Sequence, residues 1–242
     1  EDGILIAPAP YSSPAAYSSP TAGRMESFEI RKGSSQIKYG PHSTGGAINY
    51  VSASIPQHLD FSGGISLGEN STRIAKFKTG ISSNNFGLMF QTHLDNTDGF
   101  KKLDGGGETG YDKKDFLFKG RLNTNSDFAA VEVKISQTEE LSHETYLGLT
   151  NSDFDKNPYR RYAASKNDLM DANHDQITLT GVIKILQNLD ITSTVYNNDF
   201  HRNWYKLNEV NGDKIGSILN QDEGTEVSYS LLSATNSDDD IY

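Results

Sequence analysis

Two segments of the sequence have the residue types of known chemical sites, but each lacks a residue that its chemistry requires. Asp171, Asn173 and Asp175 have the spacing of the first ligands of a calcium loop, yet Gln176 stands where that loop needs a glycine. The glycine-rich run at 105–110 is followed by a tyrosine, not by the lysine of a phosphate-binding loop. The six histidines form no HExxH motif, and the absence of cysteine removes thiol nucleophiles and zinc thiolates. The sequence therefore predicts neither an enzyme nor a resident cofactor or metal.

Two adjacent arginines offer binding chemistry instead. Arg160 and Arg161 lie in a long polar segment, and a guanidinium presents a planar fork of donors that matches a carboxylate. The pair therefore indicates a site for an anionic ligand. The alternative is that these arginines form loop-stabilising ion pairs with Asp153, Asp155 or Asp168.

The elements that must position these residues are β-strands with one apolar and one polar face. Residues 129–136, for example, alternate Val, Ile and Ala with Glu, Lys and Ser. This period of two predicts strands near residues 59–69, 72–82, 85–95, 113–123, 129–141, 175–185 and 189–201. The second, fourth and sixth connections between them are tight, whereas the third and fifth are long.

Short turns on one side and long loops on the other are typical of an outer-membrane β-barrel, whose strands of ~9–11 residues cross the bilayer at a tilt. A polar wall around a wet lumen explains the mean hydropathy of −0.59 with only 35% hydrophobic residues. The 10% aromatic content argues against disorder, and the net charge of −10 argues against nucleic-acid binding. A soluble β-sandwich or sugar-binding β domain is the alternative.

The beginning of the chain has a different texture. Residues 1–23 are rich in Pro, Ala, Ser and Tyr and predict an irregular or polyproline-like segment. A strand at 25–31, a helical turn at 34–38 and a second strand at 47–51 follow. Because the chain begins at Glu1 without an initiator Met and ends without a closing element, we expect an internal piece of a longer protein.

Residues 26–56 resemble the closing half of the plug domain of TonB-dependent outer-membrane receptors. The matching segments are 28–33 (Phe-Glu-Ile-Arg-Lys-Gly), 39–41 (Tyr-Gly-Pro) and 45–51 (Gly-Gly-Ala-Ile-Asn-Tyr-Val). Residues 2–4 are similar to the Asp-Gly-Ile step that precedes the apical plug loops of the family.

The chain is further similar to the ferric citrate (iron-dicitrate) receptor-like branch of that family. The plug segments that carry this likeness are 9–11 (Ala-Pro-Tyr), 39–46 and 55–57 (Ile-Pro-Gln). In the barrel, residues 157–162 and 199–206 look like segments of the same branch.

The resemblance implies a mainly β chain, with the C-terminal part of an α+β plug domain at 1–56. About seven strands of a transmembrane antiparallel β-barrel follow at 57–242. It implies a monomeric outer-membrane receptor of a Gram-negative bacterium that takes up ferric citrate or a similar siderophore as cargo. The energy would come from TonB, with ExbB and ExbD. The alternatives are haem, cobalamin or another siderophore as cargo, or a secreted β domain that acts as an adhesin or glycan binder.

The resemblance makes six residues candidates for ligand contact: Arg160 and Arg161 in the longest loop, and Arg24, His42, Tyr11 and Tyr17 on the plug. His42 stands where the branch is expected to have Gln, and a hydrogen bond within a turn is its alternative role. The two tyrosines can instead pack within the plug. A second aromatic and cationic cluster is expected to form a membrane-interface girdle; its members are His201, Arg202, Trp204 and Tyr205.

Overall fold

The computed structural model describes residues 1–6, 20–33, 46–124 and 128–234. A small antiparallel sheet near the start of the chain consists of β1 (Met25–Arg31) and β2 (Ala47–Ser52). Both strands were expected from the sequence. The expected helical turn at 34–38 lies outside the described residues.

Seven long strands form one antiparallel sheet, in which each strand pairs with its neighbours in chain order. They are β3 (Asp60–Leu67), β4 (Arg73–Ser82), β5 (Phe86–Thr97), β7 (Tyr111–Asn123), β8 (Ala129–Ser142), β10 (Leu169–Leu186) and β11 (Leu189–Tyr205). All seven overlap the predicted strands. The sheet is open, with β3 and β11 at its edges.

The two faces of this sheet differ as predicted, and the apolar face is the exposed one. Phe61, Ile65 and Val195 are 72%, 78% and 71% exposed, whereas Asp115 and Lys134 on the other face are buried. A soluble sandwich buries its apolar faces against each other. An exposed apolar face with a buried polar face is the arrangement of a membrane barrel wall.

The height of the apolar face can be estimated on β10. Its outward residues are apolar from Ile177 to Ile185, and polar beyond Ile177 towards the long loops, from Asp175 to Asp171. At ~3.3 Å per residue and a tilt of ~40°, the apolar part spans roughly 20 Å of depth, near the ~25 Å band of outer-membrane barrels. Residues 169–175 therefore extend the strand beyond that band. The extension was not predicted from the sequence because the apolar-out, polar-in alternation is lost there: the outward face carries Asp171, Asn173 and Asp175, and the inward face carries Met170 and Ala172.

Two long connections fold together at the loop end of the sheet, and we call residues 143–168 and 206–234 the loop cap. Its short elements are α1 (Asn151–Lys156), β9 (Arg160–Arg161), β12 (Glu209–Val210), β13 (Asp213–Lys214), α2 (Ile215–Asn220) and α3 (Glu226–Ser233). A helical turn near α2 was predicted. β9 pairs with β6 (Lys102–Leu103) of a third loop. The cap has its own apolar core, built from Leu147, Tyr162, Ala164, Val210, Ile218 and Leu232.

None of the helices within the described residues is long and apolar enough to cross a bilayer.

The chain between the two sheets packs against the inward face of the large one. Ala53 and Ile55 contact the buried side chains of Met89 and Leu117. The approach is close at Gly80, where a Cβ would lie 2.6 Å from Pro56 Cδ. Glycine at this position therefore lets the exit from the small sheet lie directly on the wall.

Candidate functional site

Arg160 lies at the centre of an ion-pair network in the loop cap. Its Nη2 and Nε atoms lie 2.8 and 2.9 Å from Asp104 Oδ2, and its Nη1 lies 3.3 Å from Asp153 Oδ1. The guanidinium also lies 5.2 Å from the centre of the Tyr162 ring. The ion pair with Asp153, which the sequence left as an alternative, is formed. Asp104 reaches Arg160 only because β6 pairs with β9, and nothing in the sequence indicates that contact.

The carboxylate of Asp153 joins the two halves of the loop cap. Its Oδ2 accepts hydrogen bonds from Tyr162 Oη at 2.8 Å and from Tyr229 Oη, which lies in α3, at 2.6 Å. Burial alone would raise the pKa of Asp153, but these hydrogen bonds and the charge of Arg160 lower it. The hydrogen bond to Asp153 raises the pKa of Tyr229 to about 12. At neutral pH Asp153 is therefore a carboxylate anion that accepts hydrogen bonds from the neutral phenols of Tyr162 and Tyr229.

Replacing Asp153 with Asn is expected to loosen the contact between α1 and α3. The amide keeps the shape but loses the charge that strengthens the phenol hydrogen bonds, a loss of about 2 kcal/mol. Hydrogen exchange of residues 226–233 in the complete protein should then lose roughly 30-fold in protection. Because the pKa of Asp153 is lowered from 3.8, this stabilisation is present above that pH and is lost as the pH falls below it.

The matched control is Asp155→Asn, on the same short helix but exposed to solvent. We expect it to change the protection of residues 226–233 less than twofold. Equal effects of the two substitutions would show that Asp153 does not join the halves of the cap.

Arg161 differs from its neighbour in its partners. Its Nη1 donates to the carbonyl oxygens of Pro158 and Arg160, and its side chain is half-buried. No carboxylate within the described residues lies in ion-pair distance of its guanidinium. Burial lowers the pKa of Arg161, although a guanidinium stays charged. Arg161 is therefore the member of the pair whose charge is available to an anionic ligand.

Arg24 lies between the beginning of the chain and the wall of the large sheet. Its Nη1 and Nη2 donate to the two carboxylate oxygens of Glu1 at 2.9 and 3.0 Å. Its Nε lies 2.6 Å from Asp115 Oδ1, an ion pair without hydrogen-bond geometry. The carbonyl oxygen of Arg24 also accepts a bond from Gln91 Nε2 on β5. The side chain is 2% exposed, so its charge faces two carboxylates and not solvent.

A lysine of β8 completes this contact. Lys134 Nζ lies 2.8 Å from Glu1 Oε1 and 2.7 Å from Asp2 Oδ2. Asp2 also accepts bonds from the backbone and hydroxyl of Ser52. Burial alone would raise the pKa of Asp2, but Lys134 and Ser52 lower it to about 2. We call Glu1, Asp2, Arg24, Asp115 and Lys134 the plug–wall network.

The six residues predicted to contact a ligand fall into two groups, those outside and those inside the described part of the structure. His42, Tyr11 and Tyr17 lie outside the described residues. Arg24, Arg160 and Arg161 are described, but Arg24 lies in the plug–wall network and not beside the two arginines of the loop cap. A ligand contact by any of the six stays a prediction.

The residues of the aromatic cluster at the end of β11 lie on both faces of the sheet. Trp204 shares the inward face with Asn198, which receives a hydrogen bond from buried Gln176, and its ring packs edge-on against loop residue Tyr146 at 5.3 Å. Lys206 Nζ lies 3.9 Å from the centre of the Tyr146 ring. The expected interface girdle is therefore wrong for Trp204. Tyr205 faces outward, but it pairs with Leu169 of β10, beyond the apolar band, so its position does not support the girdle either.

No protein-family model matches the sequence. Solved structures do match in fold. The ferric citrate transporter FecA in its unliganded form aligns over 86% of this chain and 31% of its own, with a TM-score of 0.72 and 17% identity. The siderophore receptor PiuA from Acinetobacter baumannii aligns over 75% of this chain and 27% of its own, with a TM-score of 0.65 and 13% identity. The ferric yersiniabactin uptake receptor FyuA from Yersinia pestis aligns over 76% of this chain and 30% of its own, with a TM-score of 0.61 and 16% identity.

The chain thus spans 27–31% of the length of the solved receptors that it matches. At these identities the likeness establishes the fold. The predicted mainly β fold, with an incomplete antiparallel barrel wall, is confirmed. All three matched proteins are named as transporters or receptors.

Proposed function

We propose that the chain is part of a TonB-dependent outer-membrane receptor of a Gram-negative bacterium that takes up a ferric chelate, with ferric citrate as the leading cargo. The observation that carries the proposal is a wall with an exposed apolar face and a polar face that holds a small sheet by buried ion pairs. The fold shared with siderophore receptors supports the same role. Within this proposal, residues 1–56 belong to the plug and residues 57–242 to the barrel.

The plug–wall network suggests how transport and energy are coupled. Four buried charges and the more exposed Asp2 link the plug segment to β7 and β8, and separating one partner of a buried pair costs about 3–5 kcal/mol. A docked chelate can bias the plug only by its differential affinity for the two states. Work supplied through TonB, ExbB and ExbD is therefore proposed to complete the displacement.

We propose that the chelate docks on the loop cap at Arg161, and the two adjacent arginines make this testable. Arg161→Ala should weaken ferric citrate binding about 10- to 100-fold, the loss of one charge-assisted contact. The measurement is isothermal titration of the complete purified protein with ferric citrate.

Two controls separate binding from loop structure. Lys156→Ala removes another cation of the cap, 73% exposed, and should change the affinity less than twofold. Arg160→Ala removes the pairs with Asp104 and Asp153, so it should also raise hydrogen exchange in the cap, whereas Arg161→Ala should not. Tight binding of haem or cobalamin with no binding of ferric citrate would overturn the proposed cargo. An affinity for ferric citrate that Arg161→Ala leaves unchanged would overturn the proposed site.

A further inference from the structure

We propose that Lys119 and Lys134 form a carboxylate-binding station on the inner wall of the barrel. In this account the plug carboxylates fill the station while the plug is docked, and the carboxylates of an anionic chelate fill it when the plug moves. The inference rests on the proposed function for its cargo. The station itself rests on the contacts described next.

The two lysines face each other across β7 and β8. They are directly opposite in the strand register, both point inward, and they are only 7% and 4% exposed. Like charges directly opposite each other in a sheet are destabilising. Burial removes most of the water that would screen them. The pair therefore requires anions from outside these two strands.

The neighbouring wall carboxylates form no ion pair with the two lysines. Glu132 lines the same cavity and its charge acts on Lys119, but it lies opposite Arg121 in the register, and Asp115 faces Arg24. Lys134 takes both of its carboxylates from Glu1 and Asp2, on the plug side. Within the described residues, no carboxylate lies in ion-pair distance of Lys119 Nζ, and no hydrogen bond involves it.

A polar cavity adjoins the two lysines. Its volume is about 280 Å³, and it is lined by the cations Lys119 and Lys134, by the carboxylates of Asp2 and Glu132, and by hydroxyl groups of the wall and plug, those of Ser52, Ser54, Thr178, Thr180 and Thr194. Thr178 Oγ1 is buried and has no hydrogen-bond partner among the described residues. A space of this size equals about nine water molecules at ~30 Å³ each, enough for a small polycarboxylate. A carboxylate bound there would use the free Lys119 ammonium and the free Thr178 hydroxyl.

Plug displacement changes the charge of this surface. When Glu1 and Asp2 leave, Lys134 loses both of its ion-pair partners, and Glu132 is the one carboxylate that remains among the described residues lining the cavity. A chelate that carries several carboxylates can then replace the plug carboxylates contact for contact. Because one carboxylate replaces another, the net charge around the two lysines changes little when the plug moves. The exchange also favours anionic over neutral cargo in the lumen.

The test removes one plug carboxylate from the station while the plug stays docked, and then offers iron-free citrate as a replacement. In the complete protein, Asp2→Ala removes one carboxylate from Lys134. Iron-free citrate should then raise the melting temperature of this variant by several degrees more than that of the wild type. Adding Lys119→Met should abolish the extra shift, whereas adding Lys119→Arg should keep it. Lys114→Met, on the same strand but half-exposed, should leave the shift intact.

Two results would overturn the proposed station. One is that citrate stabilises Asp2→Ala no more than it stabilises the wild type. The other is that the extra rise in melting temperature survives the addition of Lys119→Met. The same variants also separate this inference from the proposed cargo. Citrate rescue without any uptake of ferric citrate by the wild type would keep the station and reject the cargo. Uptake that is normal in Lys119→Met, together with absent rescue, would keep the cargo and reject the station.

Discussion

Replacing Arg24 with Met is expected to weaken the docking of the plug segment by about 3–5 kcal/mol. The substitution keeps much of the side-chain volume but leaves the carboxylates of Glu1 and Asp115 buried opposite each other without their shared cation. Denaturant unfolding of the complete protein should show an earlier transition for the plug. Cells that carry the variant should also admit large antibiotics that the intact outer membrane excludes.

The control is Arg31→Met, in β1 of the same small sheet. The ion pair that Arg31 forms with Glu29 is 3.7 Å long, and both side chains are about 40% exposed, so the pair is worth less than about 1 kcal/mol. Similar losses of stability in the two variants would show that the buried network does not hold the plug segment on the wall.

A charge on the exposed apolar face is expected to have the second-largest effect. Leu179 lies inside the apolar part of β10, which begins at Ile177 on the outward face, and is 48% exposed. Arginine at this position should reduce the stability of the folded barrel in lipid by about 2–4 kcal/mol, because the guanidinium would lie in hydrocarbon. Folding of the complete protein into liposomes, titrated with urea, measures this difference.

Asp175→Arg serves as the comparison, four residues along the same face and beyond the apolar band. Here the side chain would lie at the level of the lipid headgroups, and we expect a change of less than about 1 kcal/mol. Equal effects at the two positions would place this face outside a bilayer and favour a soluble β domain.

The sequence predicts the wall well, because the physical cause of its pattern is local. A barrel wall separates an apolar from a polar environment, so hydrophobicity alternates with a period of two along β7, β8 and β11. The pattern fades along residues 169–174, where the outward face becomes polar and the inward face includes Met170 and Ala172. There the backbone pairing with β8 and β11 continues the strand without any signal in side-chain type.

The site is less predictable, because its contacts join distant parts of the chain. The sequence indicates Arg160 as a charged loop residue, but its partner Asp104 is 56 residues away. Lys134 could be placed on the polar face from its alternation, yet nothing local indicates Glu1, 133 residues away. Tyr229 reaches Asp153 only because the two halves of the loop cap share an apolar core.

Uptake of radiolabelled ferric citrate by iron-starved cells that carry the complete gene tests the central claim most directly. Cells with a working TonB system should accumulate iron, and cells without it should bind the chelate at the surface but accumulate none. Arg161→Ala should lower uptake at subsaturating ferric citrate in proportion to its loss of affinity. A protein found in the periplasm or the medium would contradict the account, as would uptake that is independent of TonB.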